Sequence, residues 1–210
     1  DRDEHDSPLM KNHTYNIELL DNDDGSNLTC KTMHYSATER AFLEAKMRLM
    51  VRQGRVRKEP SEHSNAIVLV PYPDRINKSI QKWGDSATKE MFREENEFEV
   101  SQWYRLTIDL RKLNRWTKFM RYPLPRIDDV LANKQSGRWT SGDVMDAFYT
   151  LRAEPEAQKY MGFTTHEGHY VMTVMPQGSV NAGDCHHIRA TTGHQRGSYC
   201  LPGRCFQQCQ

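Results

Sequence analysis

The run Ala66-Ile67-Val68-Leu69-Val70, closed by Pro71 and Pro73, constrains the fold more than any other stretch of the chain. It is an unbroken succession of aliphatic residues, too short for a buried helix and ended by residues that cannot extend a ladder. Such a run predicts a well-buried strand. Leu106-Thr107-Ile108-Asp109-Leu110 alternates with a period of two, which predicts a strand with one wet face. The two strands together suggest an antiparallel pair.

Upstream, Ser36-Ala37-Thr38-Glu39 has the spacing of a capping box. There a serine hydroxyl and a glutamate carboxylate each satisfy a free backbone donor of the first helical turn. Phe42, Ala45, Leu49 and Met50 share one helical face and Gly54 supplies a left-handed end, so a helix is expected over residues 37–53. Residues 72–102 are polar, carry Lys78, Lys82, Lys89 and Arg93, and are too long for a hairpin turn. They are expected to form a mobile insertion.

Pro125, Ile127, Val130, Leu131 and Gly137 have the spacing of a second helix, and Trp139–Asp143 that of the next strand. Tyr160–Thr164 and His169–Met175 flank Thr165-His166-Glu167-Gly168 as a hairpin. Helices mixed with antiparallel strands place the chain in the α+β class. Residues 1–35 read as an extended leader and residues 36–182 as the folded body. Residues 183–210, rich in Cys, His, Gly and Gln, read as an irregular tail.

Lys and Arg number 29 against 28 Asp and Glu, a net charge of +1, so total charge neither requires nor excludes a nucleic-acid partner. The distribution is more informative. Arg48, Arg52, Arg55, Arg57 and Lys58 cluster, as do Arg111, Lys112, Arg115, Lys118 and Arg121. Of these, Arg55, Arg57, Arg111 and Lys112 are candidates for phosphate contacts. No stretch approaches the roughly 20 apolar residues of a membrane span. The first residues do not resemble a signal peptide, so an intracellular protein without membrane contact is expected. Of 5 cysteines, all but Cys30 follow residue 184, which makes no disulfide framework for the body.

Three motifs carry a family resemblance. Ser141-Gly142-Asp143-Val144-Met145-Asp146-Ala147-Phe148-Tyr149 resembles the first catalytic-aspartate motif of reverse transcriptases. Tyr104-Arg105-Leu106-Thr107-Ile108-Asp109-Leu110-Arg111-Lys112-Leu113-Asn114 resembles the motif that precedes it. Tyr122-Pro123-Leu124-Pro125-Arg126-Ile127-Asp128-Asp129 is similar to a segment of gypsy-type LTR retrotransposon polymerases. Gly54-Arg55-Val56-Arg57, Ser61 to Ser64 and Val68-Leu69-Val70 look like the family's first finger strands, and Met175-Pro176-Gln177-Gly178-Ser179-Val180-Asn181-Ala182 like its nucleotide-pocket motif.

This resemblance, over residues 36–182, implies the fingers and partial palm of a right-hand polymerase. It also implies an RNA or DNA template-primer, deoxynucleoside triphosphates and a pair of Mg2+ ions. Carried across by position, Asp143 would bind both metals, helped by the Val144 carbonyl. Arg105 would hold the triphosphate and Gln177 would position the nucleotide. Phe148 would lie under the sugar, where a ring excludes a 2′-hydroxyl by bulk. Magnesium chemistry needs several fixed carboxylate oxygens, and a guanidinium matches phosphate geometry. Asp109, Asn114 and Asp146 are expected to be structural.

The family's second metal motif, a pair of adjacent aspartates on a palm hairpin, has no counterpart here. After Ala182 the one acid is Asp184. The chain therefore reads as an inactive copy, truncated or frameshifted after the Met-Pro-Gln-Gly motif. Two alternatives are a nucleic-acid-binding remnant, and a zinc module built from Cys185, His186, His187, His194, Cys200, Cys205 and Cys209. Pro71, Tyr72 and Pro73 stand where the family usually carries lysines at the finger tip, a role open to Arg75 or Lys78.

Overall fold

The computed structural model describes residues 14–20, 29–30, 33–120, 138–143, 146–182, 198–201 and 204–209; within 138–143, 198–201 and 204–209 it describes the backbone. The helix expected after Pro125, together with Val144, Asp184, Cys185, His186, His187 and His194, lies outside these residues.

Helix α1 (Ala37–Arg52) begins as its sequence dictates. The Glu39 N–H donates to the Ser36 hydroxyl at 3.3 Å, and the Ser36 N–H donates to the Glu39 carboxylate at 2.7 Å. Both halves of the capping box are made. At the other end Gly54 takes φ 67°, its N–H donates to the Val51 carbonyl, and the Arg55 N–H donates to that of Met50. This pair of bonds is the Schellman arrangement, which satisfies carbonyls the helix leaves open. Phe42, Leu43, Met47 and Met50 enter the core from α1.

Strands β3 (Ala66–Pro71) and β4 (Tyr104–Asp109) pair antiparallel, with Ile67 opposite Ile108 and Val70 opposite Arg105. The continuous apolar run of β3 predicts burial of the whole strand, and the structure corrects this. Ile67 is buried, but Val68 and Val70 are each 47% exposed. The reason is that β3 and β4 form a two-stranded ribbon with one covered face. Alternate residues must then face outwards whatever their hydrophobicity.

Residues 72–102 are likewise folded rather than a loose insertion. Helices α2 (Pro73–Trp83), α3 (Ala87–Glu90) and α4 (Glu97–Val100) follow one another. Their anchor is Trp103, 0% exposed, whose indole N–H donates to the Ser79 hydroxyl at 3.1 Å and whose ring lies 5.7 Å from that of Trp83. Glu97, buried on α4, pairs with Arg52 of α1. In α2, Ile76, Ile80 and Trp83 fall at i, i+4 and i+7 on one face, a stripe that the surrounding polar residues and the start at Pro73 made easy to pass over.

β2 (Val56–Lys58), β8 (Gly168–Met172) and β7 (Gly162–Thr165) form an antiparallel sheet in that order. The β7–β8 hairpin turns where the sequence predicts it. The leader contributes β1 (Thr14–Tyr15), which runs parallel to β6 (Arg152–Ala153) and buries Tyr15. α5 (Arg111–Trp116) follows β4 after Leu110. β5 (Arg138–Asp143) occupies the predicted strand. The tail, expected to be irregular, contains β9 (Ser198–Leu201) and β10 (Arg204–Cys209). They form an antiparallel sheet in the order β5, β10, β9, with Asp143 opposite Arg204. Backbone pairing fixes this sheet, and its tail strands lack the alternating apolar pattern from which a strand is read.

Candidate nucleotide pocket and nucleic-acid surface

The segment Met175–Ala182 follows β8 at one side of the β3–β4 ribbon and is pinned by several different elements. Met175 is buried and donates its N–H to the Leu151 carbonyl at 2.8 Å. Gly178 takes φ 96°, a backbone state few other residues accept. Asn114 of α5 donates its side-chain amide to the Gly178 carbonyl at 2.8 Å and accepts from the Val180 N–H at 3.0 Å. Asn181, also buried, bridges the other way, donating to the Lys118 carbonyl at 2.9 Å and accepting from the Met120 N–H at 3.1 Å. The Tyr15 hydroxyl, from the leader, is hydrogen-bonded to that of Ser179. A segment of eight residues is thus clamped by groups distant in sequence.

Two sequence-predicted site residues meet on this scaffold. Arg105, exposed on β4, donates through Nη2 to the Gln177 Oε1 at 3.0 Å. Beside them Thr107, Leu106, Tyr149, Pro176 and Gln177 line a small hollow. The Tyr149 hydroxyl is pushed above its usual range by burial and by the charge of Asp146, against the opposing pull of Arg55 and Arg105. Phe148 sits half-buried against the core in the 3-10 turn Ala147–Thr150. The arrangement offers an amide and the Tyr149 ring at one opening, with the Arg105 guanidinium bonded to that amide, groups able to meet a phosphate and a base edge.

The basic candidates are placed differently from one another. Arg55 is 8% exposed. Its guanidinium lies 2.9 Å from the Asp146 carboxylate and 4.9 Å over the Tyr149 ring, so it is an internal partner and not a surface cation. Arg57 is exposed and bonded to Glu59 and Gln158. Arg111, exposed, grips the Asp109 carboxylate through two nitrogens at 2.8 and 2.6 Å. This bond holds the Asp109 carboxyl down from 3.8 to about 2. Lys112 is exposed on the same turn. On α2, Arg75 lies over the Tyr72 ring at 4.7 Å and donates to the Gln102 carbonyl.

Asp143 is the last residue of β5, and the residue in register with it on β10 is Arg204. A pair of magnesium ions needs several acidic oxygens held together. No group of three or more His, Cys, Asp or Glu side chains able to hold a metal occurs among the described residues whose side chains are placed. The backbone register brings no second acid beside Asp143, so the described residues do not assemble a site for such a pair. Sequence reasoning missed the clamps made by Tyr15 and Asn181 and the burial of Arg55. Asn181 lies within the motif already noted, but nothing local in the sequence ties Tyr15 to this loop.

Comparison with known proteins gives a consistent picture. Residues 93–188 match the family of reverse transcriptases (RNA-dependent DNA polymerases). Over 172 residues, 81% of this chain and 12% of the relative, the chain is 24% identical to the retrovirus-related Pol polyprotein from transposon 412 of Drosophila melanogaster. It is 36% identical over 80 residues, 38% of this chain and 8% of the relative, to the polyprotein from transposon 297 of the same organism. The chain thus spans 12% or less of the length of these relatives. The protease-reverse transcriptase of prototype foamy virus superposes with a TM-score of 0.71 at 15% identity, covering 99% of this chain and 24% of that one. A foamy viral protease-reverse transcriptase in complex with an RNA/DNA hybrid gives 0.65 at 14%, covering 97% and 23%. At such identity these two structures speak for the fold alone, an α+β arrangement of antiparallel sheets and packed helices.

Proposed function

We propose, from the premise that this chain carries a reverse transcriptase domain of the gypsy-type retrotransposon kind, that its Arg105–Gln177 corner receives an incoming deoxynucleoside triphosphate. The observation that carries this reading is the 3.0 Å hydrogen bond that joins those two side chains. They are separated in sequence yet held at one opening by the clamped loop. The bond is made on the surface, where a triphosphate could take the guanidinium from the amide at small cost. Arginine offers the phosphate a planar fork of donors. Gln177, released, keeps a donor and an acceptor for the nucleotide. Phe148 would lie against the sugar and select the deoxy form by bulk.

An RNA or DNA template-primer is the second ligand in this reading, its phosphates contacted by Arg57, Arg111 and Lys112. Support comes from their exposure and from the foamy viral enzyme having been seen with an RNA/DNA hybrid and with double-stranded DNA. Magnesium would supply charge neutralisation of the phosphates, but these residues do not fit its two ions. Asp143 stands opposite Arg204, and Asp184 is the one acid in residues 183–210. The 210 residues on their own therefore bind nucleotide and nucleic acid without joining them. The domain descends from an enzyme of template-directed DNA synthesis and keeps its binding surfaces.

The test is a titration of the chain with a fluorescent dATP analogue. Loss of a charge-assisted hydrogen bond to phosphate is worth roughly 1.5 to 3 kcal/mol. Arg105→Ala is therefore expected to weaken binding by about 10- to 150-fold, and Gln177→Ala by less. Binding that ignores both substitutions would remove the nucleotide from this corner.

A further inference from the structure

Asp146 has φ 54° and ψ 29°, and it is the sole non-glycine residue with positive φ among the described residues. Residues with a Cβ rarely adopt this left-handed state, because the Cβ crowds the neighbouring carbonyl. Here it opens the Ala147–Thr150 turn, where the Tyr149 N–H donates to the Asp146 carbonyl at 2.8 Å. Phe148 lies inside that bond.

The Asp146 side chain is 38% exposed, yet it has a firm partner. Arg55 reaches it at 2.9 Å and lies over the Tyr149 ring at 4.9 Å. Arg55 is itself fixed at both backbone ends. Its N–H donates to Met50 at the end of α1, and its carbonyl accepts from the Thr173 N–H at 2.9 Å. A guanidinium so deeply placed needs a carboxylate beside it, since an unpaired buried charge is strongly unfavourable. Lys46 of α1 stands near enough for Arg55 and Asp146 to act on its ammonium group, which burial chiefly drives down. The carboxylate thus ties the turn to Arg55, at the end of α1.

We infer that Arg55 and Asp146 are a positioning pair: their ion pair keeps the left-handed turn that sets the Phe148 ring, and through it the preference for deoxy over ribo nucleotides. The second half of this inference rests on the reading of Phe148 proposed above. The first half stands on geometry alone.

The full chain, grown with 4-fluorophenylalanine at its 7 phenylalanines, tests both. The resonance lost in Phe148→Leu identifies that ring, and the ratio of dATP to ATP affinity reports the pocket. Arg55→Met is expected to shift the Phe148 resonance and reduce the dATP preference by about tenfold. Asp146→Ala should do the same. Asp146→Gly should keep the resonance in place, because glycine holds a left-handed turn without help. Arg55→Met combined with Asp146→Gly should then restore both readouts, which a general loss of packing would not allow. Should Arg55→Met fail to fold, the contrast between Asp146→Ala and Asp146→Gly decides alone. An unmoved resonance in Asp146→Ala, or equal shifts in the alanine and glycine variants, overturns the pair. If the wild-type chain binds neither nucleotide, the pocket reading fails while the resonances still decide whether the pair sets the ring.

Discussion

Replacing Trp103 by alanine is the sharpest probe of how residues 72–102 are held. Its side chain is fully buried, packs tilted against the Trp83 ring and donates to Ser79. The Tyr72 N–H donates to its carbonyl at 2.8 Å, so the residue stands at the foot of the whole segment. Truncating a buried Trp to Ala costs about 3 to 5 kcal/mol through lost burial and the cavity left behind. The Ser79 hydroxyl still donates to Glu99, so the severed indole bond adds only roughly 1 kcal/mol. Domains are commonly stable by about 5 to 15 kcal/mol, so the loss is a large fraction of the whole. Trp103→Phe should retain most of the burial and lose about 1 to 2 kcal/mol. Urea unfolding followed by circular dichroism gives the energies, and limited proteolysis should show new cleavage within residues 72–102. A loss under about 1 kcal/mol in the alanine variant, with unchanged proteolysis, would refute the packing described for this segment.

Asn114→Ala removes two hydrogen bonds to the pocket loop; at about 0.5 to 1.5 kcal/mol each it should lower stability by about 1 to 3 kcal/mol and weaken nucleotide binding, as read by the urea midpoint and the dATP titration. Gly162→Ala would put a Cβ at 2.3 Å from the His63 carbonyl oxygen and 2.7 Å from the His169 Nε2, an overpacking expected to cost about 1 to 3 kcal/mol in the same unfolding assay. The Asp109 carboxyl is held below its ordinary 3.8, at about 2, by Arg111. A depressed carboxyl stabilises the fold above its unfolded pKa, so that contribution should be present above about pH 4 and fade as pH falls towards about 2. An acid titration of Asp109→Asn against wild type checks it, and the difference between the two should vanish at the acid end.

Local signals in this sequence translate well into structure. The capping box at Ser36 and Glu39, the left-handed Gly54 and the turn at Thr165–Gly168 each depend on a few neighbouring residues, and each forms as written. Strand β3 was legible as a strand but not in its burial, because exposure of Val68 and Val70 depends on how many layers the ribbon receives. The helices of residues 72–102 were hidden because their anchor, Trp103, follows the segment and their own composition is polar. Arg105 and Gln177 were picked out by motif, and the fold joins their side chains by a hydrogen bond that no local pattern announces. Arg55 misled for the opposite reason. A guanidinium in a basic run suggests a phosphate contact, and only the fold shows Asp146 and Tyr149 already holding it. Tyr15 could not have been assigned to the pocket loop, since its bond to Ser179 spans most of the chain.

Primer extension on a homopolymer RNA template, with magnesium or manganese, tests the central claim most directly when the wild-type chain is compared with Asp143→Asn. The account predicts no extension from either, with both chains folded and the wild type still binding the dATP analogue. Extension by the wild type that Asp143→Asn abolishes would contradict it, and would mean that the chain assembles a complete metal site around Asp143.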